Sequence, residues 1–193
     1  MKEIIQLRKY LHQHPEISNR EHATSSYIAG FMEQFSPDRV ISLAGTGKAF
    51  VFDSGKSGKS VIFRAELDAL PIRETGHLEH ASVFPGVAHV CGHDGHMAIL
   101  ARLAQRIAGD RPLSGKVVLL FQPAEEVELL RHPHLGVERC GLRQVAEVLS
   151  GLAGLGEDVV AVDGGAACGG GHEAGEDAER GGLARPVRAE EAE

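Results

Sequence analysis

The stretch "GKVVLLFQPAEE" (115–126) joins a continuous apolar run to a proline and two adjacent glutamates. An apolar run that contains valines and shows no polar alternation is typical of a strand buried on both faces of a sheet. We therefore expect a buried central strand here. Glu125 and Glu126 follow its carboxyl end.

Three helices are predicted before this strand from apolar residues at helical spacing. The first covers residues 2–14. The second is expected to be capped by Ser18 or Asn19, and a third is expected to begin near His93 or Asp94.

Short strand-like runs precede the central strand: "RVISL" (39–43), "AFVFDS" (49–54) and "SVIFRAE" (60–66). The segment "GKSG" (55–58), between the last two runs, is predicted to form a hairpin turn. The alternation of helices and strands indicates an α/β layered domain. In such domains functional sites gather at the carboxyl ends of strands.

The stretch "HVCGHDGHMAIL" (89–100) concentrates metal-binding side chains in a few positions. Cys thiolate and His imidazole are good ligands for zinc and similar divalent metals, and a carboxylate completes such sites. Cys91 and His93 can face one metal if the turn at Gly92 is tight. Glu126 would supply a carboxylate ligand, and Glu125 would act as general base on a water activated by the metal.

Other interpretations of these residues stay open. Cys91 can be a buried small hydrophobe. It can also be a nucleophile activated by a histidine, although His93, only two residues away, is poorly placed to act as that base. Asp94 can be a plain helix N-cap. His96 can pack on its own helix or support the site, and adjacent glutamates are usually solvated.

Composition and charge exclude several classes of protein. The net charge of −7 argues against a general nucleic-acid binder. No run of eighteen apolar residues predicts a membrane span, and no signal peptide is recognisable at the N-terminus. Three widely spaced cysteines do not indicate a disulfide scaffold, so we expect a cytoplasmic location. The segment "DSGKSGKS" (53–60) fails as a phosphate-binding loop because a strand follows it.

The composition changes near residue 127. Beyond this point the chain contains no Phe, Tyr, Lys or Ile and is rich in Gly, Ala and Glu. Such a sequence supplies little core. We therefore predict two regions, 1–126 as a globular part and 127–193 as a divergent tail that is disordered from about 163.

Four segments together resemble a known family. They are "LRKYLHQHPEISNRE" (7–21), "FRAELDALPI" (63–72), "HVCGHDGHMAIL" (89–100) and "GKVVLLFQPAEE" (115–126). In this order they are similar to the metal-dependent amidohydrolases of the aminoacylase and carboxypeptidase clan. The nearest branch contains hippurate hydrolase, indole-acetyl-amino-acid hydrolase and N-acyl-amino-acid amidohydrolases.

The resemblance implies a zinc-peptidase-like α/β domain with a mixed central sheet flanked by helices and two divalent metal ions, manganese or zinc. By motif position, Cys91, His93 and Glu126 correspond to metal ligands and Glu125 to the catalytic acid/base. Asp68 corresponds to a supporting aspartate. Asp94 and His96 belong to the same motif and are taken as supporting residues. The implied reaction is hydrolysis of the amide bond of a small N-acyl amino acid.

The sequence after Glu126 departs from the family pattern. The further ligand histidines and the lid and dimerisation domain of the family have no counterpart in 127–193, so we expect the family homodimer to be lost. One hypothesis is that this segment comes from a shifted reading frame or a rearranged gene. Since three ligands would hold metal weakly, we expect an incomplete, weakly active or inactive fragment. The alternative is a non-catalytic remnant that binds a single metal or a partner protein.

Overall fold

The structure is a computed structural model that describes residues 1–127 and, for its backbone, the strand 159–163. The predictions of disorder and of divergence in the tail concern residues 128–158 and 164–193, which lie outside these ranges. Within the described part, none of the helices is long and apolar enough to cross a membrane.

The described elements confirm the alternation of helices and strands. In chain order they are α1 (Lys2–Gln13), α2 (His22–Glu33), β1 (Arg39–Leu43), β2 (Gly47–Asp53), β3 (Ser60–Glu66), α3 (His93–Gly109), β4 (Lys116–Gln122) and β5 (Val159–Asp163). Helix α1 is amphipathic, and its Ile4, Leu7 and Leu11 side chains are buried at the positions that helical spacing predicts.

The strands form one mixed sheet in the order β1-β2-β4-β3-β5. Strand β4 runs antiparallel to β2 and parallel to β3. The side chains of Val118, Leu119, Leu120 and Phe121 have no exposed surface, which confirms a central strand buried on both faces. Leu119 and Phe121 pack with the three helices, whereas Val118 and Leu120 pack on the opposite face of the sheet.

The predicted hairpin at 55–58 is wrong. Strands β2 and β3 are not neighbours, because β4 lies between them and pairs with both. Strand β4, the most apolar of the strands, gains the most free energy from burial and therefore occupies the centre of the sheet. Strand β2 pairs with β4 on one side and forms the antiparallel hairpin with β1 on the other. The segment between β2 and β3 is a connection that passes the amino end of β4.

The expected cap of the second helix is also wrong. Helix α2 begins at His22 with Glu21 as its N-cap residue. Ser18 donates its hydroxyl proton to Asp68 instead, at 2.7 Å. Asn19 adopts a left-handed conformation with φ 64° in the connection before the helix.

Strand β5 was not predicted. It belongs to the segment that composition sets apart, and its backbone pairs in parallel with β3. The valines of "VVAVD" (159–163) suit a strand.

Candidate metal centre

Acidic and histidine side chains meet where β3 and β4 end and α3 begins. Glu66 is the last residue of β3, and Asp68 follows it by two residues. Glu125 and Glu126 follow β4, while His93 is the first residue of α3. Since β3 and β4 are parallel, their carboxyl ends lie at one edge of the sheet. Asp68, His93 and the two glutamates therefore lie close together.

His93 lies at the centre of this group and is buried. Its Nδ1 donates a hydrogen bond to the backbone oxygen of Asp68 at 2.8 Å. Its Nε2 lies 3.9 Å from a carboxylate oxygen of Glu125 and 3.9 Å from one of Glu126. The bond at Nδ1 fixes the orientation of the ring, so that Nε2 faces the two carboxylates.

Asp68 connects this histidine with the glutamate pair. It is fully buried, and its Oδ2 accepts hydrogen bonds from the Ser18 hydroxyl and from the backbone N–H of Glu126 at 2.9 Å. Its Oδ1 lies 3.6 Å from His93 Nδ1. Burial raises the pKa of Asp68, but the hydrogen bonds outweigh this effect, so the pKa lies below its ordinary value.

The carboxylates perturb one another and His93. Burial raises the pKa of Glu125 to about 7, against the opposing effect of the His93 charge. The neighbouring charges of Glu126 and Glu66 add to the increase. Burial lowers the pKa of His93, but hydrogen bonding to Asp68 outweighs it and raises the pKa to about 9. Both shifts arise where several carboxylates surround a buried histidine.

These residues fit a divalent cation. Ligand atoms of His93, Glu125 and Glu126 all lie within 4.8 Å of one another, and so do those of Glu66, His93 and His96. Glu126 Oε1 and Asp68 Oδ1 are buried without a hydrogen-bond partner among the described residues. A buried carboxylate oxygen without a donor is costly, and a cation would satisfy it. Imidazole and carboxylate are ligands that zinc and manganese accept.

His96 does more than pack on its own helix. Its Nδ1 donates to Glu66 Oε2 at 2.8 Å, and Arg64 forms an ion pair with Glu66 at 3.2 Å. Burial raises the pKa of Glu66, but the His96 bond and the Arg64 charge lower it to about 2. Glu66 is not among the site residues predicted from the sequence. The signal was an acidic residue at the end of an apolar strand, two positions before Asp68.

Asp94 is not the N-cap of α3. The cap is Gly92, whose φ of 86° is a conformation that glycine adopts readily. Asp94 is fully buried in the first turn, where it accepts hydrogen bonds from Arg8 at 3.1 Å and from His12 at 3.0 Å. It therefore ties α3 to α1.

Cys91 is half-buried and precedes the Gly92 cap. It belongs to neither of the two groups of converging ligand atoms found among the described residues. Of the predicted ligands, the structure thus brings His93 and Glu126 together. Glu125, the predicted acid/base, lies beside them.

The chain is similar in sequence and fold to known proteins. The sequence profile of peptidase family M20/M25/M40 matches residues 62–178. This range includes both glutamates and the cysteine–histidine segment. It also extends into the part of the chain after residue 127.

Two relatives and one solved structure are similar to this chain. Thermostable carboxypeptidase 2 of Saccharolobus solfataricus is 40% identical over 126 residues, which are 64% of this chain and 32% of the relative. The N-acyl-L-amino acid amidohydrolase of Geobacillus stearothermophilus is 36% identical over 128 residues, or 65% and 34%. The crystal structure of Bacillus subtilis YXEP protein, described as a dinuclear metal binding peptidase from the M20 family, superimposes with a TM-score of 0.62. It is 33% identical, with 70% of this chain and 40% of that chain covered.

The chain spans about a third of the length of the curated relatives it matches. The family profile nevertheless covers more than half of the chain. A similar mixed α/β fold is present in the dinuclear metal binding peptidase. The chain belongs to peptidase family M20/M25/M40.

Proposed function

We propose that the chain contributes to metal-dependent hydrolysis of the amide bond of small N-acyl amino acids. The observation that carries the proposal is the convergence of Glu125 and Glu126 on Nε2 of His93. The relative named N-acyl-L-amino acid amidohydrolase supports the substrate class. The similarity to a structure described as a dinuclear metal binding peptidase supports the use of two divalent cations.

In this proposal His93, Glu126 and Cys91 hold the cations, which are manganese or zinc. Bound divalent cations would polarise the amide carbonyl and lower the pKa of water. Asp68 holds the His93 ring through its backbone oxygen and holds the Glu126 backbone through its carboxylate. It therefore orients two of the three ligands.

Glu125 is the acid/base in this proposal. It takes a proton from the attacking water, whose oxygen bonds to the amide carbon, and passes that proton to the amide nitrogen. The C–N bond then breaks, and the second proton of the water passes to the released amine, which leaves a carboxylate and an amino acid with a protonated amino group. In the metal-free site burial raises the pKa of Glu125 to about 7, near the pH at which a group can both accept and release a proton in neutral solution.

The test compares the purified chain with Glu125→Gln, using a panel of N-acetyl amino acids in the presence of Mn²⁺ or Zn²⁺. We expect the variant to lose about 10²–10⁴-fold in kcat, which is the usual contribution of a positioned general base. Its metal content should stay that of the parent, because Glu125 is not a proposed ligand. Glu33→Gln, an exposed position at the end of α2, is the matched control.

Two results would oppose the proposal. Turnover that survives Glu125→Gln would exclude the role of this carboxylate. A chain that holds its metal but turns over none of the substrates would instead be a metal-binding remnant of the enzyme family.

A further inference from the structure

The two residues between β4 and Glu125 form an unusual turn. Ala124 has φ 59°, in the left-handed region that residues with a Cβ rarely adopt. Such a conformation persists only where surrounding contacts hold it. The direction of the Glu125 side chain depends on this torsion, because Ala124 is the preceding residue.

A buried carboxylate from another part of the chain holds this turn. Glu21 Oε1 accepts a hydrogen bond from the backbone N–H of Ala124 at 2.9 Å, across 103 positions of sequence. The same oxygen accepts from the backbone N–H of Asn19 at 2.8 Å. Oε2 accepts from the Thr46 hydroxyl at 2.9 Å. These three donors satisfy the hydrogen-bonding requirement of the Glu21 carboxylate, which has no exposed surface.

The other side of Glu125 is held in the same manner. The backbone N–H of Glu126 donates to Asp68 Oδ2 at 2.9 Å. The amides before and after Glu125 are therefore bound to two different buried carboxylates, Glu21 and Asp68. The Glu125 side chain itself is half-buried.

The usual reason for an acidic residue at the start of a helix does not apply to Glu21. It occupies the N-cap of α2, yet its side chain makes no capping hydrogen bond to that helix. Glu16 supplies such a bond instead, because its Oε2 accepts from the backbone N–H of Thr24 at 2.7 Å. The hydrogen bonds of the Glu21 carboxylate thus go to the turn before Glu125 and to the segments that contain Asn19 and Thr46.

We propose that Glu21 is a positioning residue that sets the direction of Glu125 by holding the Ala124 amide. This inference rests on the role of acid/base proposed for Glu125. The segment "NRE" (19–21), which ends the motif "LRKYLHQHPEISNRE" (7–21), then has a function at the site. A displacement of a catalytic group by about 1 Å can cost about 10²-fold in rate.

The experiment compares Glu21→Ala, Glu21→Gln and the control Glu16→Ala in the full chain. The first readout is the Ala124 amide in ¹H–¹⁵N spectra, by its proton shift and its exchange rate. We expect Glu21→Ala to move this proton upfield and to speed its exchange, while the Glu126 amide stays protected. Glu21→Gln keeps an acceptor oxygen for Ala124 and an NH₂ group for the Thr46 oxygen, so it should stay near the parent.

The second readout is kinetic. Glu21→Ala should lower kcat by about 10²-fold with little change in KM, and Glu21→Gln should restore most of it. Glu16→Ala should lower the free energy of unfolding without a selective fall in kcat. If Glu21→Ala does not fold, Glu21→Asp, which withdraws the carboxylate by one methylene, takes its place.

Both readouts decide the inference. If the Ala124 amide of Glu21→Ala behaves as in Glu16→Ala, or if kcat per folded molecule is unchanged, Glu21 only stabilises the fold and the inference is overturned. The amide result does not depend on turnover. A failure of the proposed function, seen as full activity in Glu125→Gln, is therefore distinguishable from a failure here.

Discussion

Single residues in the connections decide the geometry of the site. Pro123, next to the left-handed Ala124, packs against the position where Gly47 begins β2. A Cβ at Gly47 would lie 2.9 Å from Pro123 Cδ and 2.9 Å from the Leu43 oxygen. The absence of a side chain at one strand end thus permits the turn that presents Glu125.

This contact predicts the effect of Gly47→Ala. The added methyl group must displace the backbone of β1 or the proline ring, and we expect a loss of about 1–3 kcal/mol in the free energy of unfolding. Chemical denaturation measures it. Gly30→Ala is the matched control, because Gly30 is exposed in α2 with open space around its Cβ position. It should gain about 0.5–1 kcal/mol. Equal stability of Gly47→Ala and the parent would contradict the close approach.

Among the helices, α1 and α3 are joined by a buried polar contact in addition to apolar packing. Both ring nitrogens of His12 face carboxylate oxygens at 3.0 Å, those of Asp94 in α3 and of Glu74 in the connection between β3 and α3. A doubly protonated imidazole donates to both. Burial lowers the pKa of His12, but the bonds to Glu74 and Asp94 outweigh it, so the pKa lies above 6.5.

The sign of the pH dependence follows from this direction. A raised folded-state pKa contributes stability that is complete below the unfolded value of about 6.5 and is lost as pH rises through the folded value. We expect the metal-free chain to lose free energy of unfolding in that window, and His12→Asn to lack this part of the slope. Denaturation at a series of pH values in chelator measures both.

His14→Asn is the control for this prediction, since the His14 ring bonds the Tyr10 carbonyl oxygen and not a carboxylate. It should keep the parental slope. A His12→Asn variant with the same slope as the parent would show that the ion pairs do not form.

At the scale of the whole molecule, the central sheet and the site depend on each other. Strand β4 lies at the centre of the sheet, and the glutamate pair follows its carboxyl end. Strand β3 ends with Glu66, and Asp68 follows two residues later. A cation held between these elements would bind the folded chain and not the unfolded one. Metal binding is then coupled to global stability.

We therefore expect Mn²⁺ or Zn²⁺ to raise the midpoint of thermal unfolding and a chelator to reverse the increase. At a metal concentration of about 100 times Kd the gain is about 2.7 kcal/mol. Glu126→Gln should remove most of it, whereas Glu33→Gln should not. Calorimetry with and without metal tests this, and a parent whose unfolding is insensitive to both metals would refute the site.

Much of the fold and part of the site could be predicted from residue patterns. The spacing of Ile4, Leu7 and Leu11 predicts α1, and the apolar run 115–122 predicts a buried strand, because burial depends on local periodicity. The hairpin at 55–58 could not be judged in this way, since strand neighbours depend on competition between distant segments for the centre of the sheet. Strand β5 was missed because its five residues lie in a compositionally biased segment.

By itself, the sequence determined the α/β class, the central position of 115–122 and the chemistry of the cysteine–histidine and glutamate segments. Those properties follow from hydrophobic pattern and side-chain type. Only the tertiary structure decided that β4 separates β2 from β3, that Glu66 joins His93 and His96, and that Glu21 and Asp68 hold the amides around Glu125. These contacts join residues far apart in the chain, and their partners are chosen by packing and by the need of buried carboxylates for hydrogen-bond donors.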